Sequence, residues 1–112
     1  MPERALIPPR LGLPPGNLAV RAIHVDSWGS QIVVDCIYRF PPEEKLFRLI
    51  FHDCRSIEWI VQKTTLNMLG FEEAQLIAHD LGKESYERTA RLATTLVEVI
   101  IAYDSLKIER QW

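Results

Sequence analysis

Glycine is sparse in this chain of 112 residues, and Gly12, Gly16, Gly29, Gly70 and Gly82 stand singly. A phosphate cradle needs closely spaced glycines opening a helix, so nucleotide binding through such a loop is excluded as a leading idea. Cysteine is scarcer, with only Cys36 and Cys54, and neither a paired C-x-x-C nor an H-E-x-x-H occurs. No metal and no cofactor are therefore expected. Positive charge is not in surplus either: the formal net charge is -2, which leaves nothing to neutralise phosphates and argues against nucleic acid as a partner. The pairs Arg88 with Arg91 and Lys107 with Arg110 have Glu87 and Glu109 among them and read as mixed solvated surface.

Long apolar runs are missing as well. Arg48 divides the run around Phe47 to Phe51, and Glu98 the run around Leu96 to Ala102, so nothing approaches the roughly 20 apolar residues of a membrane span. At the amino terminus prolines and Glu3 stand where a signal peptide would need a basic start and an apolar stretch. The expectation is a cytoplasmic protein with no membrane partner and both cysteines as free thiols.

What is present has the balance of an ordinary globular domain, 47% hydrophobic and 25% charged. Residues 1–16 hold five of the seven prolines and are expected to form an extended arm, since proline fixes φ and lacks an N–H. Leu11 and Leu13 on that arm either dock on their own domain or meet a partner. Residues 17–112 form the single domain.

From Asn17 to Gln62 the period is two, the spacing of a strand with one apolar face. Ile32, Val34, Cys36, Tyr38 and Phe40 share a face, as do Phe47, Leu49 and Phe51, and then Ile57, Trp59 and Val61. Asp26 to Ser30 and Pro41 to Glu44 carry the residue types of reversals, which makes these strands antiparallel neighbours. Residues 56–69 also fit a helical stripe, but Trp59, Ile60, Val61, Thr64 and Thr65 favour strand. Phe71 to Leu81 reads as a helix, with Ala74, Ile77, Ala78 and Leu81 at helical spacing, Glu72 and Glu73 at its start and Gly82 as its stop. In residues 86–100 the β-branched crowding of Thr94, Thr95, Val97, Val99 and Ile100 favours strand. Asp104-Ser105 then reads as a tight turn closing a C-terminal hairpin with Leu106 and Ile108. The fold class is α+β: a mainly antiparallel sheet, meander plus C-terminal hairpin, with one short helix. The pattern leaves open whether the strands close into a barrel.

Chemistry-bearing residues are few. His52-Asp53-Cys54 holds the materials of a thiol nucleophile, but on a strand Asp53 points away from His52 and Cys54, and only Arg48 or Arg55 could favour a thiolate. His24, His52 and His79 each lie within two residues of an aspartate, with nothing to bring the three together. No catalytic residue is assigned. The leading expectation is a non-catalytic module for protein–protein interaction or homo-oligomerisation, acting through an open sheet edge, the arm with Leu11 and Leu13, and the aromatic anchors Trp28 and Trp112. Its partner is another protein or a second copy, as in a homodimer. The alternative is a small-molecule site lined by Tyr38, Trp59 and Tyr103 with Arg48 or His52 at a polar end, and a thiol- or metal-dependent enzyme comes third.

Overall fold

The structure is a computed structural model that describes residues 7–61, 74–82 and 89–112. The expected alternation governs the first half of the chain. β1 (Asn17–Asp26), β2 (Gln31–Phe40) and β3 (Glu43–His52) form an antiparallel meander. Ile32 stands opposite Phe51, Val34 opposite Leu49 and Cys36 opposite Phe47, all of them buried. The β2–β3 hairpin turns on Pro41-Pro42, whose peptide bond is cis.

The remaining strands are β4 (Ser56–Val61), β5 (Ala74–Asp80), β6 (Thr89–Thr94), β7 (Val97–Ala102) and β8 (Ser105–Arg110). All described pairings are antiparallel, in the order β4-β7-β6-β5-β1-β2-β3-β8. The two ends of that order are joined by the chain itself, because β3 runs into β4 through residues 53–55 and β7 into β8 through residues 103–104. Across this double corner Asp104 N donates to His52 O at 3.0 Å and Arg55 N to Ala102 O at 2.7 Å. The sheet thus wraps into two layers, β1-β2-β3-β8 and β5-β6-β7-β4, which share two bent strand pairs on one side. On the other, the ladder between them among the described residues is Ala19–Gln75 and Val20–Ala74. The core lies between the layers, where the rings of Phe51 and Tyr103 meet edge-on with centroids 4.9 Å apart.

Three expectations need correction. The arm is not wholly extended: α1 (Ile7–Leu11) is a short helix. Pro8 and Pro9 sit in its first turn, where a missing N–H costs nothing. Gly12, at φ +72°, ends it, with Gly12 N donating to Pro9 O at 3.1 Å and Leu13 N to Pro8 O at 3.0 Å. Ile7 and Leu11 are buried in the core. The arm is further held by Tyr38 Oη donating to Pro14 O at 2.6 Å and Ile7 N donating to His79 Nε2 at 2.9 Å.

Second, the helix expected over 71–81 is strand β5 over Ala74–Asp80, and residues 71–73 lie outside the described set. A register shift between Leu76 and Ala78 breaks its period of two, so Ala74 and Leu76 face the core before the bulge and His79 after it, opposite Leu92. Gly82, at φ +88°, turns the chain against β6 rather than stopping a helix, and a Cβ there would meet Thr89 O at 2.6 Å.

Third, β7 and β8 are not a hairpin. β8 pairs with β3, and β7 pairs with β6 and β4. The turn inside the expected long strand is made by Thr94, whose Oγ1 accepts from Leu96 N at 3.1 Å and Val97 N at 2.9 Å. Ser56–Val61 is a strand as expected, while the rest of 56–69 and the start of 86–100 lie outside the described residues.

Candidate interaction surface

The anchors named from sequence have different fates. Trp28 is fully exposed at the tip of the β1–β2 connection. It is held there by an unusual backbone: Ser27 at φ 52° and Trp28 at φ 60° are consecutive left-handed residues with side chains, followed by Gly29 at φ 97°. Each such residue costs about 1–2 kcal/mol. The turn is nonetheless pinned, with Ser30 N donating to Ser27 O at 3.1 Å and Cys54 N to Ser30 O at 2.9 Å. Trp112 is half-exposed, with Lys45 Nζ 5.2 Å and the Arg110 guanidinium 5.9 Å from its ring centroid. Leu11 is buried and Leu13 packs partly against the same core, so Leu11 is covered by its own domain and Leu13 partly so.

The five residues of the alternative pocket do not converge. Tyr38 and Tyr103 are core side chains whose hydroxyls donate to the main-chain carbonyls of Pro14 and Leu81. Arg48 lies on the opposite face of β3 from Phe47 and Leu49, where its Nε donates to Asp35 Oδ1 at 2.8 Å and His24 Nε2 sits 3.0 Å from Asp35 Oδ2. A polar hollow of about 320 Å³ on that outer face is bordered by Arg21, Asp35, Arg48 and Gln111. His52 alternates with Phe51 onto the outer face, and Trp59 is half-exposed on β4.

The cysteines are free thiols. Burial, reinforced by the charge of Asp35, pushes the Cys36 thiol far above the ordinary range. Cys54 is half-buried, its Sγ 3.4 Å from Phe51 O, and burial, with a smaller push from Asp53, raises its pKa too despite an opposing backbone hydrogen bond. A raised pKa disfavours the thiolate that a nucleophile requires. Among the described residues no three His, Cys, Asp or Glu side chains gather into a metal-binding group, and no helix is long and apolar enough to cross a membrane.

The feature that sequence reasoning did not single out is the outer edge of β4. Its inner edge pairs with β7 over all six residues without a register shift, and no described strand pairs with the other edge. Trp59, Ile60 and Val61 are consecutive and 49%, 43% and 67% exposed, so large apolar side chains stand in water on both faces of one edge strand. The alternation predicted the strand, but the pattern has no mark for which strand ends a sheet.

The other open edges are protected by means that blunt pairing. β8 carries Lys107, Glu109 and Arg110. β1 and β5 pair at two positions among the described residues, and each is bulged, between Val20 and Ala22 and between Leu76 and Ala78. β4 has no bulge, no proline and no lysine, and Glu58 is its single charge.

No family model and no curated protein matches the chain. Among solved structures, the crystal structure of an uncharacterized protein from Neisseria gonorrhoeae is similar in fold, with a TM-score of 0.52 at 11% identity, covering 84% of this chain and 91% of that one. At that identity the likeness is one of fold alone.

Proposed function

We propose that this protein is a non-catalytic binding module that engages a protein partner by strand addition along the free edge of β4. The observation that carries this reading is the coincidence of a regular edge, unpaired among the described residues and carrying one charge, with Trp59, Ile60 and Val61 exposed around it. An added strand would satisfy the edge N–H and C=O groups, and pockets between alternate side chains would supply selectivity. Trp28 is a second contact point, held outward by a turn whose backbone strain gives it no packing in return.

The test is site-directed photo-crosslinking in the cell of origin. A benzophenone side chain at Ile60 is expected to give a discrete protein adduct, and the same group at Lys107 on the charged β8 edge is expected to give none. Equal labelling from both positions, or none from Ile60, overturns the reading.

A further inference from the structure

Resting on the strand-addition reading, we infer that the occupant of the β4 edge is a second copy of this chain, paired antiparallel through β4 with Trp59 on the two-fold axis. A two-fold perpendicular to the sheet keeps each side chain on its own face, so a symmetric ladder must be centred on a residue that meets its own copy. Within β4 the possible centres differ sharply. Centring on Glu58 sets two carboxylates directly opposite, which is destabilising. Centring on Ile57 brings Arg55 into the ladder opposite Trp59 and leaves Ile60 and Val61, both exposed, without partners. Centring on Ile60 pairs only Trp59, Ile60 and Val61 within the described strand and leaves Ile57 without a described partner.

Centring on Trp59 avoids all three faults. Trp59 meets Trp59 of the other copy, Ile57 meets Val61 on the same face, and Ile60 meets Glu58 on the other. The two carboxylates move from direct opposition to a diagonal. Aromatic and β-branched cross-strand pairs are the favourable ones in antiparallel ladders. The product is a continuous antiparallel sheet, β5-β6-β7-β4 of one copy followed by β4-β7-β6-β5 of the next, with no free edge at its centre.

Residue order supports a self-complementary partner. In the strand Ser56–Val61 the apolar residues of one face, Ile57, Trp59 and Val61, match their own reversed order, and the single charge, Glu58, is not set against its own copy. Five paired positions bury less than the roughly 800 Å² per partner of a standard interface, so the dimer is expected to be weak and concentration-dependent.

The experiment uses the full chain with Cys54→Ser to remove the half-buried thiol. Under mild oxidation at high protein concentration, Trp59→Cys is expected to form a disulfide-linked dimer, and Glu58→Cys is expected not to. Because Trp59→Cys removes a large side chain, a second variant, Glu58→Cys with Ile60→Cys, retains Trp59 and is expected to crosslink across the outer face. In sedimentation, Ile60→Lys is expected to move the monomer–dimer midpoint up by about ten-fold or more, which corresponds to ~1.4 kcal/mol. A disulfide from Glu58→Cys alone assigns another register and overturns the inference. A chain that stays monomeric into the millimolar range also overturns it. If Ile60 then still photo-crosslinks to a different protein, strand addition stands and only the second copy is wrong; if it crosslinks to nothing, both fall.

Discussion

The phenol of Tyr103 donates to the main-chain carbonyl of Leu81, tying the corner between β7 and β8 to the residue that follows β5. Both residues are buried, so the carbonyl has no ready replacement from water. Tyr103→Phe keeps the ring against Phe51 and removes the donor. A loss of about 1–3 kcal/mol in urea denaturation is expected, the penalty of an orphaned buried acceptor. Unchanged stability would show that this bond contributes nothing to closing the corner.

The short helix is a structural part of the domain, and its leucine reports on that. Leu11 is buried in the core, and Leu11→Ala is expected to lower stability by about 2–5 kcal/mol, the range of large-to-small core changes. Leu13→Ala, at a partly covered position, is expected to lose less. Equal and negligible losses at both would return these leucines to the role of partner contacts.

Trp28 supplies the opposite case. It makes no packing contact that burial would reveal, and its left-handed backbone suits asparagine better than tryptophan. Trp28→Asn is expected to leave the melting temperature unchanged or to raise stability by up to about 1 kcal/mol. It is expected at the same time to weaken any adduct formed at the β4 edge if the tip contacts the same partner. A clear fall in stability would mean that the ring packs on its own domain.

Cys36 gives a pH dependence with a definite sign. Its folded pKa is raised by burial above the ordinary thiol value of about 8.5, so the folded state holds this proton when the unfolded chain releases it. The contribution to stability is full below pH ~8.5 and shrinks as pH rises above it. Cys36→Ala is expected to lower stability at neutral pH, by opening a cavity, and to make its decline between pH 8 and 10.5 shallower. Parallel declines in both proteins would reject the assignment. Alkylation is expected to reach the half-buried Cys54 first and Cys36 only on unfolding.

Where the alternation is unbroken, the sequence predicts the strand and the buried face together, as at Ile32, Val34, Cys36 and Tyr38 against Phe51, Leu49 and Phe47. It misleads where one residue is inserted into the ladder. The bulge in β5 puts Ala74, Leu76 and His79 at spacings of two and then three, and the three-residue step imitates one flank of a helical stripe. The turn after β6 escaped notice for another reason: it has no glycine, proline or asparagine, and the reversal is made by a threonine hydroxyl. Asp104-Ser105 has turn chemistry, yet the chain there bends from one layer into the other instead of reversing. The candidate edge was legible only as a strand. Its freedom depends on which neighbours the topology assigns, and that is a property of the whole ring of pairings.

The two bent strand pairs also bear on how the molecule comes apart. Residues 43–61 and 97–110 each belong to both layers, so neither layer can melt while the other keeps all its rungs. Heat or denaturant should therefore meet one all-or-none unit rather than two leaves peeling in turn.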